Sequence, residues 1–232
     1  MNISSSHKII RIQGKDSLEF LQGQLSNDLK LIKERDLQKN VICNLKGRII
    51  ALFWVNKIDD ENFHLLVDSS IAEKALETLE KFKVFYKSEM ILLEDKPKNF
   101  NILRTEDWRA NCIRDGLCEI TSFTTETFTP HDLGYQNLEI INFDKGCFTG
   151  QEVIARMHYR AKLKSGLYVI SSTSIESINE GDDIYDKNQK VLGKVASKIG
   201  QLGLIFIKNI GKLEDIYDEK GNKFGLDNFK LV

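Results

Sequence analysis

Residues 144 to 156 read DKGCFTGQEVIAR. The thiol of Cys147 lies between Gly146 and Gly150, two residues after Lys145. Thr149 and Glu152 have the T-x-x-E spacing of a reciprocal helix cap, and Val153, Ile154 and Met157 form a short apolar stripe, so a helix is predicted from Gly150. Unpaired N–H groups and the positive end of the dipole favour a thiolate ahead of such a helix, and Lys145 adds a cation. The two glycines permit positive φ and close approach of an anion to the backbone. A packing role competes with this reading, because free cysteine is among the most buried residue types. No base is in reach along the chain: His158 is about 16 Å further along a helix. His131 or His7 would have to be brought in by the fold.

Beyond the helix, Arg156, His158, Arg160, Lys162 and Lys164 gather basic groups that suit an acidic ligand tail or a nucleic-acid phosphate. The same residues also suit a solvated helix end leading into a strand.

The elements that must position these groups follow from periodicity. HKIIRIQ alternates as a strand. Leucines 18, 21, 25 and 29 share a helical face, which predicts a helix over 15–32 with Asp16 and Glu19 as its cap. KNVICNL and RIIALFWV predict a hairpin turning at Lys46-Gly47, and NFHLLVD another strand. SSIAEKALETLEKFKVF is an amphipathic helix with Ser69 or Ser70 as its cap. EMILLED returns to strand, EDKPKN is a seam, and EDWRANCIRDG is a helix that Gly116 ends. From Ser165 onward short β runs alternate with Gly, Asn and Asp turns, which predicts a small barrel or sandwich.

The chain has 232 residues, 41% hydrophobic and 29% charged, with a formal net charge of -1. That is enough for an ordinary core, and no whole-molecule field favours nucleic acid or anionic membrane. With no secretory core, presequence or membrane span in the sequence, a cytoplasmic protein is expected. Four cysteines at 43, 112, 118 and 147, without CxxC pairs or matching histidines, predict neither a metal site nor a disulfide framework.

KGCFTGQEVIARMHYR resembles the signature of the YgfZ-type folate-binding proteins, relatives of the aminomethyltransferase of the glycine cleavage system. IRIQGKDSLEFLQGQLSNDL and CNLKGR resemble that family's opening helix and hairpin, so the likeness runs with gaps through 7–164. It implies an α+β fold with subdomains in a ring-like arrangement and a small C-terminal β-barrel. The expected division is 1–164, a folate-binding region of two interleaved subdomains, and 165–232, the barrel-like domain. It also implies bound tetrahydrofolate and a role in assembling or repairing iron–sulfur clusters, including those of partners such as tRNA methylthiotransferases. By this likeness Lys145, Gly146, Gly150, Gln151, Glu152 and Arg156 belong to the folate site, Cys147 is its functional thiol, and Trp108 matches a folate-contacting tryptophan. An aromatic plane on a pterin is physically sound; a core tryptophan is the other reading of Trp108.

Two positions depart from the pattern. Arg114 stands where the family carries a glutamate that would accept pterin N–H groups, with Asp115 one residue away as the substitute, and His7 stands where some members carry a second tryptophan. GRIIALFWV has no acid of the kind that assists transfer in the transferases. An accessory folate-binding role is therefore expected ahead of one-carbon transfer. An RNA-binding module using 156–164 is a third reading.

Overall fold

The computed structural model describes residues 1–33, 36–160, 165–208, 215–224 and 230–231. Lys162 and Lys164 of the basic stretch lie outside them, and of Arg160 only the backbone is described.

After strand β1 (Asn2–Ser4) come β2 (His7–Gln13), helix α1 (Ser17–Gln24), the hairpin of β3 (Gln38–Cys43) and β4 (Ile49–Lys57), then β5 (Asn62–Asp68), helix α2 (Ala72–Phe82) and β6 (Glu89–Leu93). The strands form an antiparallel sheet in the order β3-β4-β5-β2-β6. In β4, Ile49, Ile50, Ala51, Leu52, Phe53 and Val55 are all buried, which is why this strand reads as an unbroken apolar run. Beyond the seam, β7 (Asn101–Leu103) pairs in parallel with β1 and leads into helix α3 (Thr105–Arg114). A turn-rich stretch then docks on β4, where Ile49 N–H donates to the Phe128 carbonyl and Glu126 N–H to that of Ile49. It ends at helix α4 (Gln151–Arg160).

The remaining strands are β8 (Gly166–Ser171), β9 (Asp183–Tyr185), β10 (Val191–Ile199), β11 (Leu202–Ile207), β12 (Ile216–Tyr217), β13 (Lys223–Phe224) and β14 (Lys230–Leu231). They form one curled sheet in the order β13-β12-β9-β10-β11-β8-β14. Alternation along β11 divides its side chains: Leu204 and Phe206 join the large core of the N-terminal part, while Ile205 and Ile207 fill the curl of the sheet itself. Arg109 of α3 fastens the junction. Its guanidinium lies 3.5 Å from Asp68 at the end of β5 and 3.1 Å from Glu180, which also accepts from Thr121 Oγ1, Ser197 Oγ and Lys198 N–H.

Tertiary partners override several local expectations. The helix expected over 15–32 stops at Gln24: Leu25 turns extended to bridge Ile42, Ser26 Oγ accepts from Val41 N–H and donates to the Ile140 carbonyl, and Asn27 N–H donates to Asn40 Oδ1. Leu21, Leu25 and Leu29 are buried all the same, so their spacing marked a buried face but not one continuous helix. Asp16 accepts from Lys87 N–H instead of capping α1. Neither Ser69 nor Ser70 caps α2, which has no side-chain cap; Asp68 instead caps the 3-10 turn Ser69–Ile71 that leads into it, holding Ser70 N–H at 2.9 Å. Thr149 donates to Gln24 Oε1 and does not form the box with Glu152.

Candidate functional site

The KGC corner is a turn stitched to the end of α1. Asn142 Oδ1 accepts from the N–H groups of Asp144 and Lys145, Thr149 N–H donates to the Gly23 carbonyl, and the Thr149 hydroxyl reaches Gln24. Side chains then alternate. Lys145 and Phe148 turn inward and are buried, while Gly146 and Cys147 face solvent. The Lys145 ammonium donates to the carbonyls of Gln22 (2.8 Å), Leu25 (2.6 Å) and Asn27 (3.0 Å) and lies over the Phe148 ring. Burial pushes its pKa down to about 8, against an upward pull from Asp28. The cation expected beside the thiol is thus spent on closing a helix. Gly150, at φ +84, is required sterically, since a Cβ there would meet the Asn44 carbonyl oxygen at 2.7 Å. Gln151 is half-buried at the start of α4, and Glu152 and Arg156 are exposed on it.

The fold also brings His7 and Trp108 together, around a residue that sequence reasoning missed. Glu119 is buried, and its Oε1 accepts from His7 Nε2 (2.9 Å), Trp108 Nε1 (2.9 Å) and Trp54 Nε1 (3.4 Å). Trp108 meets both His7 and Trp54 edge to face at 5.2 Å. Burial pushes the Glu119 carboxyl upward, but the hydrogen bonds and charges of His7, Trp108 and Arg109 outweigh it and hold it below the usual glutamate value. Its Oε2 has no partner among the described residues. The available signal was a lone acid in the apolar run LCEI just after a helix-ending glycine. Asp115 and Arg114 are exposed at the end of α3, away from this enclosed cluster.

Beside the corner, at Asn142 and Asp144, opens a cavity of about 680 Å³. Its walls include Asn27, Lys39, Gln136, Asn142, Phe143 and His158. Three of these connect it to what has been described: Asn27 shares Lys145, Asn142 supports the KGC turn, and the Lys39 ammonium lies 5.6 Å from the centre of the Trp54 ring. His158 stacks on Phe143 with ring centroids 3.9 Å apart. Gln136 Oε1 is buried and unpartnered among the described residues. Amide groups and a stacked aromatic pair suit a flat hydrogen-bonding ring, in a space of ligand size, and the charged groups of the wall are mixed: Lys33 and Lys39 beside Asp36, Glu139 and Asp144. Among the described residues no group of three His, Cys, Asp or Glu could hold a metal ion, and no helix is long and apolar enough to cross a membrane.

No family model matches the chain. Among curated proteins, an uncharacterised protein of Haemophilus influenzae is 26% identical over 241 residues, covering 88% of this chain and 86% of that protein. The tRNA-modifying protein YgfZ of Hamiltonella defensa is 25% identical over 291 residues (94% and 85% covered), and that of Colwellia psychrerythraea 24% identical over 254 (83% and 76%). The chain is related to the YgfZ proteins. The YgfZ relationship agrees with the fold. The glycine cleavage system aminomethyltransferase T from Bartonella henselae superimposes with a TM-score of 0.68 at 16% identity, over 95% of this chain and 82% of that one. The YgfZ-related chain therefore has the α+β aminomethyltransferase fold, as its motif implied.

Proposed function

We propose that this chain is a tetrahydrofolate-binding accessory factor of the cytoplasm that supports assembly or repair of iron–sulfur clusters, including those of tRNA-modifying enzymes, with Cys147 as its working thiol. The observation that carries the reading is the cavity beside the KGC corner. Its amides and its Phe143–His158 stack fit a pterin, its Lys33 and Lys39, set among Asp36, Glu139 and Asp144, fit a carboxylate tail, and Cys147 of the adjoining corner is the exposed one of four cysteines. The names of the curated relatives support the link to tRNA modification, and the shared fold supports the link to folate. In this reading the folate lies within 1–164, with Gln136 and Asn142 orienting the ring and Lys33 and Lys39 meeting the carboxylates.

Titration with tetrahydrofolate, followed by tryptophan fluorescence, tests the ligand. Saturable binding weakened about tenfold in Phe143→Ala or Lys39→Ala is expected; wild-type affinity in both variants would remove the ligand from this cavity. For the thiol, Cys147→Ala is expected to lower tRNA methylthiolation in cells while leaving folate binding intact. One-carbon transfer is the second reading, favoured by the fold and by Glu119 Oε2, which is unpartnered among the described residues. Against it, β4 carries no acid and Glu119 is enclosed by His7, Trp54 and Trp108. Formation of methylene-tetrahydrofolate from tetrahydrofolate and an aminomethyl thioether, with release of ammonia and the free thiol, would reverse that order.

A further inference from the structure

The last residues of α2 and the turn that follows it present apolar side chains to water. In Lys81-Phe82-Lys83-Val84-Phe85-Tyr86-Lys87 the exposed fractions of Phe82, Val84 and Phe85 are 41%, 74% and 93%. Lys81 and Lys87 are exposed and Lys83 is half-buried, and none of the three ammonium groups is ion-paired among the described residues.

This exposure belongs to an anchored turn. Tyr86 N–H donates to the Lys83 carbonyl, and the Tyr86 ring turns inward onto Phe20 at 5.3 Å. Lys87 N–H is held by Asp16, and Ser17 Oγ donates to Ser88 Oγ. Gly14, at φ +147, lies so close under Lys87 that a Cβ would fall 2.2 Å from its carbonyl oxygen. A backbone fixed at this many points holds Phe85 outward, and a rigid loop that keeps an aromatic ring in water marks a contact surface.

We propose that this loop binds a nucleic-acid single strand, with Phe85 and Phe82 stacking on unpaired bases and Lys81, Lys83 and Lys87 meeting the phosphates. Alternating rings and cations are what such a strand requires, since every base offers a π-face and every linkage a charge. A protein partner fits less well, because lysine is depleted from protein–protein interfaces. A flat anionic bilayer would also meet the exposed carboxylates of Glu77, Glu80 and Glu89 that bracket the loop, whereas a strand can follow the loop between them. The surface uses neither the folate cavity nor Cys147, so the failure of either proposal leaves the other standing.

The test is fluorescence anisotropy with the full chain and a labelled oligouridine of about eight nucleotides, a length within the usual single-strand site size. Saturable binding is expected, with a log–log salt slope of about −2 for three phosphate contacts. Phe85→Ala should weaken it roughly tenfold through lost stacking, and the charge reversal K81E/K83E/K87E should abolish it. These residues lie at the surface, so thermal unfolding of both variants should match the parent. The proposal is overturned by absence of saturable binding at about 50 mM salt. It is equally overturned by binding that survives both changes but is lost in Arg156→Glu, or by loop-dependent binding to phosphatidylserine vesicles without binding to RNA.

Discussion

Lys145 illustrates how far a signature residue's work can lie from the place its motif suggests. Three carbonyls at the end of α1 share its ammonium, so Lys145→Met should destabilise the protein by about 2–4 kcal/mol in urea unfolding. Glu119 makes a complementary prediction. Its folded pKa lies below the ordinary value of 4.5, so its contribution to stability is present above that value and is lost as the pH falls through the lower, folded one. Melting temperature measured against pH should therefore fall on the acid side, and Glu119→Gln should flatten that limb. A variant with an unchanged acid limb would show that other carboxylates carry it.

At the scale of elements, Gly150 is where the KGC corner and the β3–β4 hairpin meet. Gly150→Ala must place a methyl group against the Asn44 carbonyl at positive φ, and a loss of about 1–3 kcal/mol is expected by thermal unfolding. Periodicity in the sequence was enough to recognise the hairpin, α2, α3 and α4, because each satisfies its own backbone or pairs with a near neighbour, and β2 by its alternation, although its partners β5 and β6 are distant in sequence. It failed at the helix ends. Whether Asp16, Thr149 and Asp68 cap anything depends on Lys87, Gln24 and Ser70, and α1 stops early because Ser26, Asn27 and Lys145 connect it to distant segments. The site divides in the same way. Cys147, Trp108 and His7 could be selected by their likeness to a family, whereas Glu119 gains meaning only from a histidine 112 residues away.

For the whole molecule, the decisive group is Arg109. It joins β5, α3 and the turn that holds Glu180 against β10, so one guanidinium adds a charged link between the C-terminal sheet and the N-terminal part to the apolar contact made by Leu204 and Phe206. Arg109→Leu leaves Asp68 and Glu180 without that partner. A loss of about 3 kcal/mol is expected, with faster hydrogen exchange in α3 and β10 together. Faster exchange in only one of them would show that the two parts stay coupled without this guanidinium.

The burial of Cys43, Cys112 and Cys118, set against the exposure of Cys147, gives the chain a built-in clock for its own opening. Burial pushes the three inner thiols up, so an alkylating reagent at neutral pH should modify one site promptly and reach the others only during excursions from the native state. Cys43 lies under the KGC corner, whereas Cys112 and Cys118 lie by the Glu119 cluster. The order in which mass spectrometry finds them labelled would report which end of the site opens first.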